Sequence, residues 1–378
     1  MAHNRKGDLR KFVLNLPENL TVNALAFSEK GQLLAVVARA PFAPEGPDKN
    51  KSPVQVWDVE RGAVLWQWQG KLAETGSMAI YPDGPTIAQS SDKSLVVWNA
   101  LTGQELWHVT PHAVANAIAF SPDGKLIATA GPYGLRDGLA FIDLWDASNG
   151  KNLFSCSPGI ASCDALAFSH DGTKIAVGGI HEDSGIGSLY IFATNGRKLL
   201  DHEIEAGGMG SIAFSRDMAV IATGVGGEVI LWDARKGTKI REFARKAEEP
   251  FVAALFTRAT PFFHPDGKTL IINLDLGDNP VPDFDLDRVV ASVQKEGRKG
   301  FQRGIDELIS KMPSKHEKKV SEVQFWDYQR GKKLGQYIVE HDWSNIGPGF
   351  ETSICALSAD GDRFACCRHN TIHIVQRK

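Results

Sequence analysis

The sequence predicts an all-β fold: seven four-stranded repeats closed into a ring. Three observations carry this expectation. Two short phrases alternate along the chain, their spacing is nearly constant once insertions are set aside, and an orphan strand near the start matches an incomplete unit near the end.

The first phrase is a small apolar run, an aromatic residue, Ser-x-Asp-Gly and a second apolar run. It recurs as LAFSEKG (25–31), AIYPDG (79–84), IAFSPDG (118–124), LAFSHDG (166–172), IAFSRDM (212–218), FFHPDG (262–267) and CALSADG (355–361). Asp and Gly supply a tight turn, so each phrase reads as a strand, a turn and a second strand. The second phrase follows as VQVWDVERG, LVVWNALTG, IDLWDASNG, LYIFATNG, VILWDARKG and VQFWDYQRG. Its alternation, ending in Trp-Asp and Gly, marks another strand and turn. Two hairpins give one sheet, with strands a to d counted from the centre outward.

The seventh unit stops after its third strand, Thr371–Gln376, while Leu9–Leu16 stands alone before the first. An open sheet edge invites association, and closure removes it. Residues 9–16 are therefore expected to complete a blade otherwise made by 353–378, within one domain spanning 1–378.

These phrases resemble the WD40 repeat, whose period is about 40–45 residues, over nearly the whole chain. The resemblance implies a seven-bladed WD40 β-propeller and a protein-binding scaffold rather than an enzyme. The departures are Phe192-Ala193 in blade 4, Ile374-Val375 in blade 7 and the missing Gly-His dipeptide. The family's buried His–Ser/Thr–Asp–Trp network is thus implied only in part, with His112, Thr129 and Trp145 the best-matched set. The Trp-Asp pairs read as structural, with Trp packing between blades and Asp closing a turn.

Loop lengths locate the extra residues. From the a–b glycine position to the c-strand tryptophan position the spacings are 26, 14, 21, 20, 14, 59 and 13. Blades 1, 3, 4 and 6 therefore carry about 12, 7, 6 and 45 extra residues in the b–c loop. The connections entering and leaving blade 6 are each longer by about 9. Without these additions about 41 residues remain per repeat. Strands alternate in direction, so every addition falls on one face of the disc, the top, and half of them surround blade 6. Insertions confined to one face mark a working surface.

The blade 6 insertion, 276–319, divides by charge. Asp275, Asp278, Asp283, Asp285 and Asp287 lie in a stretch without a base, and residues 288–319 carry a net +5. Leu286, Val289, Val290 and Val293, then Phe301, Ile305, Leu308, Ile309 and Met312, have helical spacing. A helical hairpin over the top face is expected. An EF-hand loop starting at Asp283 would need Gly at its sixth position and Glu at its twelfth; Arg288 and Gln294 stand there instead.

The formal charge of −3 does not point to nucleic acid, and no apolar run approaches the ~18 residues of a membrane span. Five cysteines without a CxxC pair, and no apolar signal segment, suggest a reducing, cytoplasmic setting. No nucleophile elbow, phosphate loop or zinc-binding HExxH is present. His181, Glu182, Asp183, His341, Asp342 and His369 could meet at the top of the pore, but no spacing requires a metal, and no metal or cofactor is assigned. Lys236, Lys239, Arg241, Arg245 and Lys246 read as a solvated outer edge. Cys355 and Cys366 read as a buried thiol pair, and as cross-strand neighbours if the turn centres on Asp360-Gly361.

The expected role is non-catalytic binding of a protein or peptide on the top face near blade 6, by a chain that is monomeric alone or a subunit of a larger complex. Aromatic and Arg anchors dominate such surfaces, which selects Phe42, Tyr133, Arg136, His181, Arg258, Phe301, Arg303, Trp343 and Phe350. The alternatives are a propeller enzyme with a metal or acid/base site at the pore mouth, and a nucleic-acid-binding propeller, which the acidity opposes.

Overall fold

A computed structural model describes residues 9–17, 20–28, 31–39, 51–71, 77–81, 86–91, 94–99, 101–111, 115–131, 140–181, 187–204, 209–225, 227–243, 258–276, 319–341, 354–358, 360–368 and 370–377. Among them all regular structure is β-strand, arranged as seven antiparallel four-stranded blades.

Blade 1 holds β2 (Thr21–Phe27), β3 (Leu33–Arg39), β4 (Lys51–Asp58) and β5 (Ala63–Lys71). Blade 2 holds β6 (Met78–Ile80), β7 (Thr86–Ser91), β8 (Ser94–Asn99) and β9 (Glu105–Val109). Blade 3 holds β10 (Ala117–Phe120), β11 (Leu126–Gly131), β12 (Phe141–Asp146) and β13 (Asn152–Cys156). Blade 4 holds β14 (Ser162–Phe168), β15 (Lys174–Ile180), β16 (Gly187–Ala193) and β17 (Lys198–Ile204). Blade 5 holds β18 (Met209–Phe214), β19 (Val220–Val225), β20 (Glu228–Asp233) and β21 (Lys239–Phe243). Blade 6 holds β22 (Arg258–Phe263), β23 (Thr269–Leu276), β24 (Lys319–Asp327) and β25 (Lys332–His341). Blade 7 holds β26 (Ile354–Leu357), β27 (Arg363–Arg368) and β28 (Thr371–Arg377), with β1 (Leu9–Asn15) as its outer strand. β1 and β28 pair from Leu9↔Arg377 to Asn15↔Thr371.

The repeated phrases make the turns. In the a–b turn of blade 3, Ser121 Oγ donates to Asp123 Oδ1 at 2.7 Å and accepts from the Leu126 amide at 2.9 Å. The Asp123 carboxylate also accepts from the Lys125 amide. Ser169–Asp171, Ser215–Asp217 and Ser358–Asp360 repeat the Ser-to-Asp bond. The turn's last residue lies at positive φ, which glycine adopts without strain; in blade 5 Met218 takes that place at φ 59°. In the c–d turns the Asp of Trp-Asp accepts from following amides, as Asp58 does from Glu60 and Arg61 at 3.0 Å.

The core lies between the blades. Seven buried apolar clusters each join two successive blades, and the one between blades 7 and 1 includes Leu14, Leu34, Trp57, Ile372 and Ile374. Among the described residues the joint between blades 6 and 7 is the smallest, with Ile271, Val323, Phe364 and Cys366 fully buried.

A second device recurs at the outer rim. A strand-d side chain of one blade lies over the c–d-turn glycine of the next: Trp66 over Gly103, Trp107 over Gly150, Phe154 over Gly196, Leu200 and His202 over Gly237, and Arg241 over Gly331. Leu14 of β1 approaches Gly62 in the same way. A Cβ at Gly103 would fall 2.2 Å from Trp66 Cζ2, so the wedge needs a residue without a side chain. Arg241 thus serves as packing, contrary to its reading as a solvated edge.

The c-strand tryptophans of blades 1, 3, 5 and 6 find acceptors in two ways. Trp145 Nε1 donates to Thr129 Oγ1 at 3.0 Å and Trp232 Nε1 to Thr223 Oγ1 at 2.8 Å, both across to strand b. In blades 1 and 6, Val36 and Ile272 occupy the corresponding strand-b positions. There the acceptor is a glutamine two residues before the tryptophan, Gln55 for Trp57 at 3.1 Å and Gln324 for Trp326 at 2.8 Å.

Candidate interaction surfaces

The top face is set by strand length. In blade 6, β23, β24 and β25 have 8, 9 and 10 residues, whereas β19, β20 and β21 of blade 5 have 6, 6 and 5. The extra pairs lie at the top ends, Leu276↔Val320 and Lys319↔His341. Residues 277–318 therefore leave and re-enter on hydrogen-bonded neighbours, and the 342–353 connection starts one strand further out. Blade 1, with the next largest insertion, has 8 and 9 residues in β4 and β5.

Of the sequence-selected anchors, His181 directly follows β15 and is half-buried at the top of blade 4. Arg258 opens β22 opposite Asp275 at the top of blade 6. Blade 5 separates the two. Phe42, Tyr133, Arg136, Phe301, Arg303, Trp343 and Phe350 lie outside the described residues, as do His112 and the helices expected within 276–319. The terminal residues of that insertion, Leu276 and Lys319, belong to strands. His341 ends β25, while Glu182, Asp183, Asp342 and His369 are outside the described residues. Among the described residues no group of His, Cys, Asp and Glu is placed to hold a metal ion.

The inner top rim is tied by hydroxyls. Ser90 Oγ donates to Ala115 O at 2.8 Å, linking blades 2 and 3, and Ser211 Oγ to Ala259 O at 3.0 Å, linking blades 5 and 6.

The bottom face carries a feature that the sequence reading missed. A cavity of about 680 Å³ opens among the a strands and a–b turns of blades 4 to 7. Phe168, Phe214, Phe262, Phe263 and Leu357 supply its apolar wall, with His170 and Arg216 at the polar edge. Arg216 Nη1 donates to Pro265 O at 2.7 Å and so bridges blades 5 and 6. Partial burial, aided by the Arg216 charge, holds the His170 imidazole below its ordinary pKa. The signal for this wall was the large apolar residue closing each of these four a strands, Phe168, Phe214, Phe263 and Leu357, which the hairpin pattern used only as a strand end.

The cysteines differ in setting. Burial pushes the Cys156 thiol up to about 11 and the Cys163 thiol higher still, so both stay protonated. Cys355 and Cys366 are direct cross-strand partners in the β26–β27 ladder. Among the described residues no helix is long and apolar enough to cross a membrane.

A family model described as "WD domain, G-beta repeat" matches residues 103–142. Telomerase protein component 1 of Rattus norvegicus is 26% identical over 61% of this chain and 8% of that protein. Small ribosomal subunit protein RACK1 of Caenorhabditis elegans is 26% identical over 33% of this chain and 40% of its own length. WD repeat-containing protein SL1-17 of Schistosoma mansoni is 25% identical over 51% of this chain and 65% of its own. The chain spans less than a tenth of the telomerase component that it matches. The family match runs from the c–d turn of blade 2 into strand c of blade 3, one period of the d–a–b–c order that the other sheets repeat. With that period carried around all seven blades, the repeat match and the seven-bladed fold together support a WD40 β-propeller family, whose members are typically protein-interaction scaffolds.

Proposed function

We propose that the chain is a non-catalytic scaffold that holds a protein or peptide partner on its top face, over blade 6. The supporting observation is the raised ladder of β23, β24 and β25, which carries the largest insertion and the connection after it on adjacent strands. A stiff, hydrogen-bonded stalk under two long loops suits presentation of anchors such as Phe301, Arg303, Trp343 and Phe350, with Arg258 at its base. Phe42, Tyr133, Arg136 and His181 would extend the surface toward blades 1, 3 and 4.

The setting is cytoplasmic and the chain works within a larger assembly. Relatives whose names place them in telomerase and in the small ribosomal subunit support the second point. Among the described residues no observation favours the enzyme or the nucleic-acid reading.

The test is affinity capture from the native host with three baits: the full chain, a variant lacking 277–318, and a bottom-face variant, Arg216→Ala. A partner held by the first and third and lost from the second supports the proposal. A partner that persists without 277–318 and is lost with Arg216→Ala moves the binding face to the opposite side and sinks it.

A further inference from the structure

Cys355 and Cys366 occupy the register position at which a cross-strand disulfide can form. The Ser358 amide donates to Arg363 O at 2.9 Å, which makes that pair hydrogen-bonded. Pairs alternate along an antiparallel ladder, so Leu357↔Phe364 is non-hydrogen-bonded, Ala356↔Ala365 hydrogen-bonded and Cys355↔Cys366 non-hydrogen-bonded. In that type of pair the Cα atoms approach to about 4.5 Å, within the range that a disulfide spans.

The side chains share a face. Both cysteines pack against the apolar cluster between blades 6 and 7, and Cys366 Sγ donates to Asn273 Oδ1 of β23 at 3.7 Å. The neighbouring Cys367 points the other way, into the cluster between blades 7 and 1, and does not compete. Cys355 is half-buried and Cys366 is 1% exposed, so an external reagent reaches Cys355 first.

We propose that Cys355 and Cys366 are a reversible redox pair that staples β26 to β27 at the joint between blades 6 and 7. With a small-molecule disulfide such as oxidised glutathione as oxidant, the Cys355 thiolate attacks one of its sulfurs. The glutathione S–S bond breaks, one glutathione thiolate leaves, and Cys355 carries the mixed disulfide. The Cys366 thiolate then attacks Cys355 Sγ and expels the second glutathione. One disulfide is reduced, one is formed, and the two protein thiol protons pass to the released thiolates. The step also withdraws the Cys366 S–H from Asn273, so the oxidation state is felt on blade 6.

The experiment equilibrates the full chain in oxidised glutathione or in dithiothreitol. Each sample is then denatured, alkylated, weighed intact and peptide-mapped without reduction. The expected result is two fewer alkylated thiols in the oxidised chain, a Cys355–Cys366 linked peptide, and a higher Tm that dithiothreitol reverses. Cys355→Ser and Cys366→Ala each abolish the linkage and the Tm shift, while Cys367→Ser keeps both. Five alkylated thiols after oxidation, a stable glutathione adduct at Cys355, or a link through Cys367, Cys156 or Cys163 overturns the proposal. The wild-type map decides even if a variant fails to fold.

Discussion

Arg363 is the charged clasp between the last blade and the first, and its removal can be costed. Its side chain is 5% exposed. Nη1 donates to Gly31 O at 2.6 Å and Nη2 pairs with Glu60 Oε1 at 2.8 Å. Glu60 is 61% exposed, so water and salt screen the ion pair and it contributes under about 1 kcal/mol. The bond from a buried cation to the Gly31 carbonyl contributes about 1.5–3 kcal/mol. Arg363→Met keeps the apolar stem and removes the donors, so about 2–3 kcal/mol should be lost, whereas Glu60→Gln should cost less than about 1 kcal/mol. At an unfolding entropy of about 2.1 cal/mol/K per residue, the first change lowers Tm by about 3–4 °C. Urea unfolding followed by tryptophan fluorescence, with calorimetry beside it, measures both variants. Equal losses would place the energy in the ion pair. A loss under about 0.5 kcal/mol for Arg363→Met would show that closure does not use this residue.

Removing residues 1–16 strips the outer strand from blade 7 and bares the β28 edge, so the truncated chain should melt well below the parent and aggregate; coincident melting curves would show that β1 is dispensable. Gly103→Ala should cost about 3 kcal/mol, because a Cβ must displace Trp66 and adopt φ +69°. Gly159→Ala, at φ +84° with nothing within 4 Å, should cost only about 1 kcal/mol, and equal costs in urea would discredit the wedge. The His170 pKa is lowered in the fold, so the unfolded chain takes up the proton first as pH falls. Stability should therefore decline from about pH 6.5 down to the folded value, and His170→Gln should flatten that decline in pH-dependent melts. Ser215 donates to Asp217 and is the main cause of that carboxyl's lowered pKa; Ser215→Ala should return it toward its ordinary value in an NMR titration, and the variant should be less stable at neutral pH, with the two chains' melts converging as pH falls through that carboxyl's titration.

Strands, turns and blade number were legible because each is encoded within about 40 consecutive residues. Hairpin chemistry is local: Ser, Asp and Gly of one turn bond to each other, and the alternation of VILWD fixes which residues turn inward. Trp145 and Thr129 were likewise foreseen, since both lie within one sheet. The matching Trp232–Thr223 bond and the glutamine acceptors of Trp57 and Trp326 were not, although VQVW and VQFW spell them out. The family pattern directs attention to Ser or Thr on strand b, and a residue two places back on the same strand and face was overlooked. The contacts between blades were hidden for a different reason. Trp66 and Gly103, or Arg363 and Gly31, belong to different repeats, and nothing in either local pattern says that they meet. The bottom cavity arises in the same way, as a sum over four blades. The top-face anchors were selected from loop length and residue type, and of these only His181 and Arg258 fall on described backbone.

The pairing of β1 with β28 also imposes an order of events on synthesis. Leu9 meets Arg377 across almost the whole described chain, so β1 leaves the ribosome long before its partner exists. Six blades can be completed in turn by strands that follow one another in the chain, but the seventh cannot. Until then β1 is an edge strand without its native ladder, the kind of species that cellular chaperones bind. The last step joins distant segments, and loop-closure entropy is carried by that step alone. Conditions that slow translation would prolong the exposure of β1 without changing the finished ring.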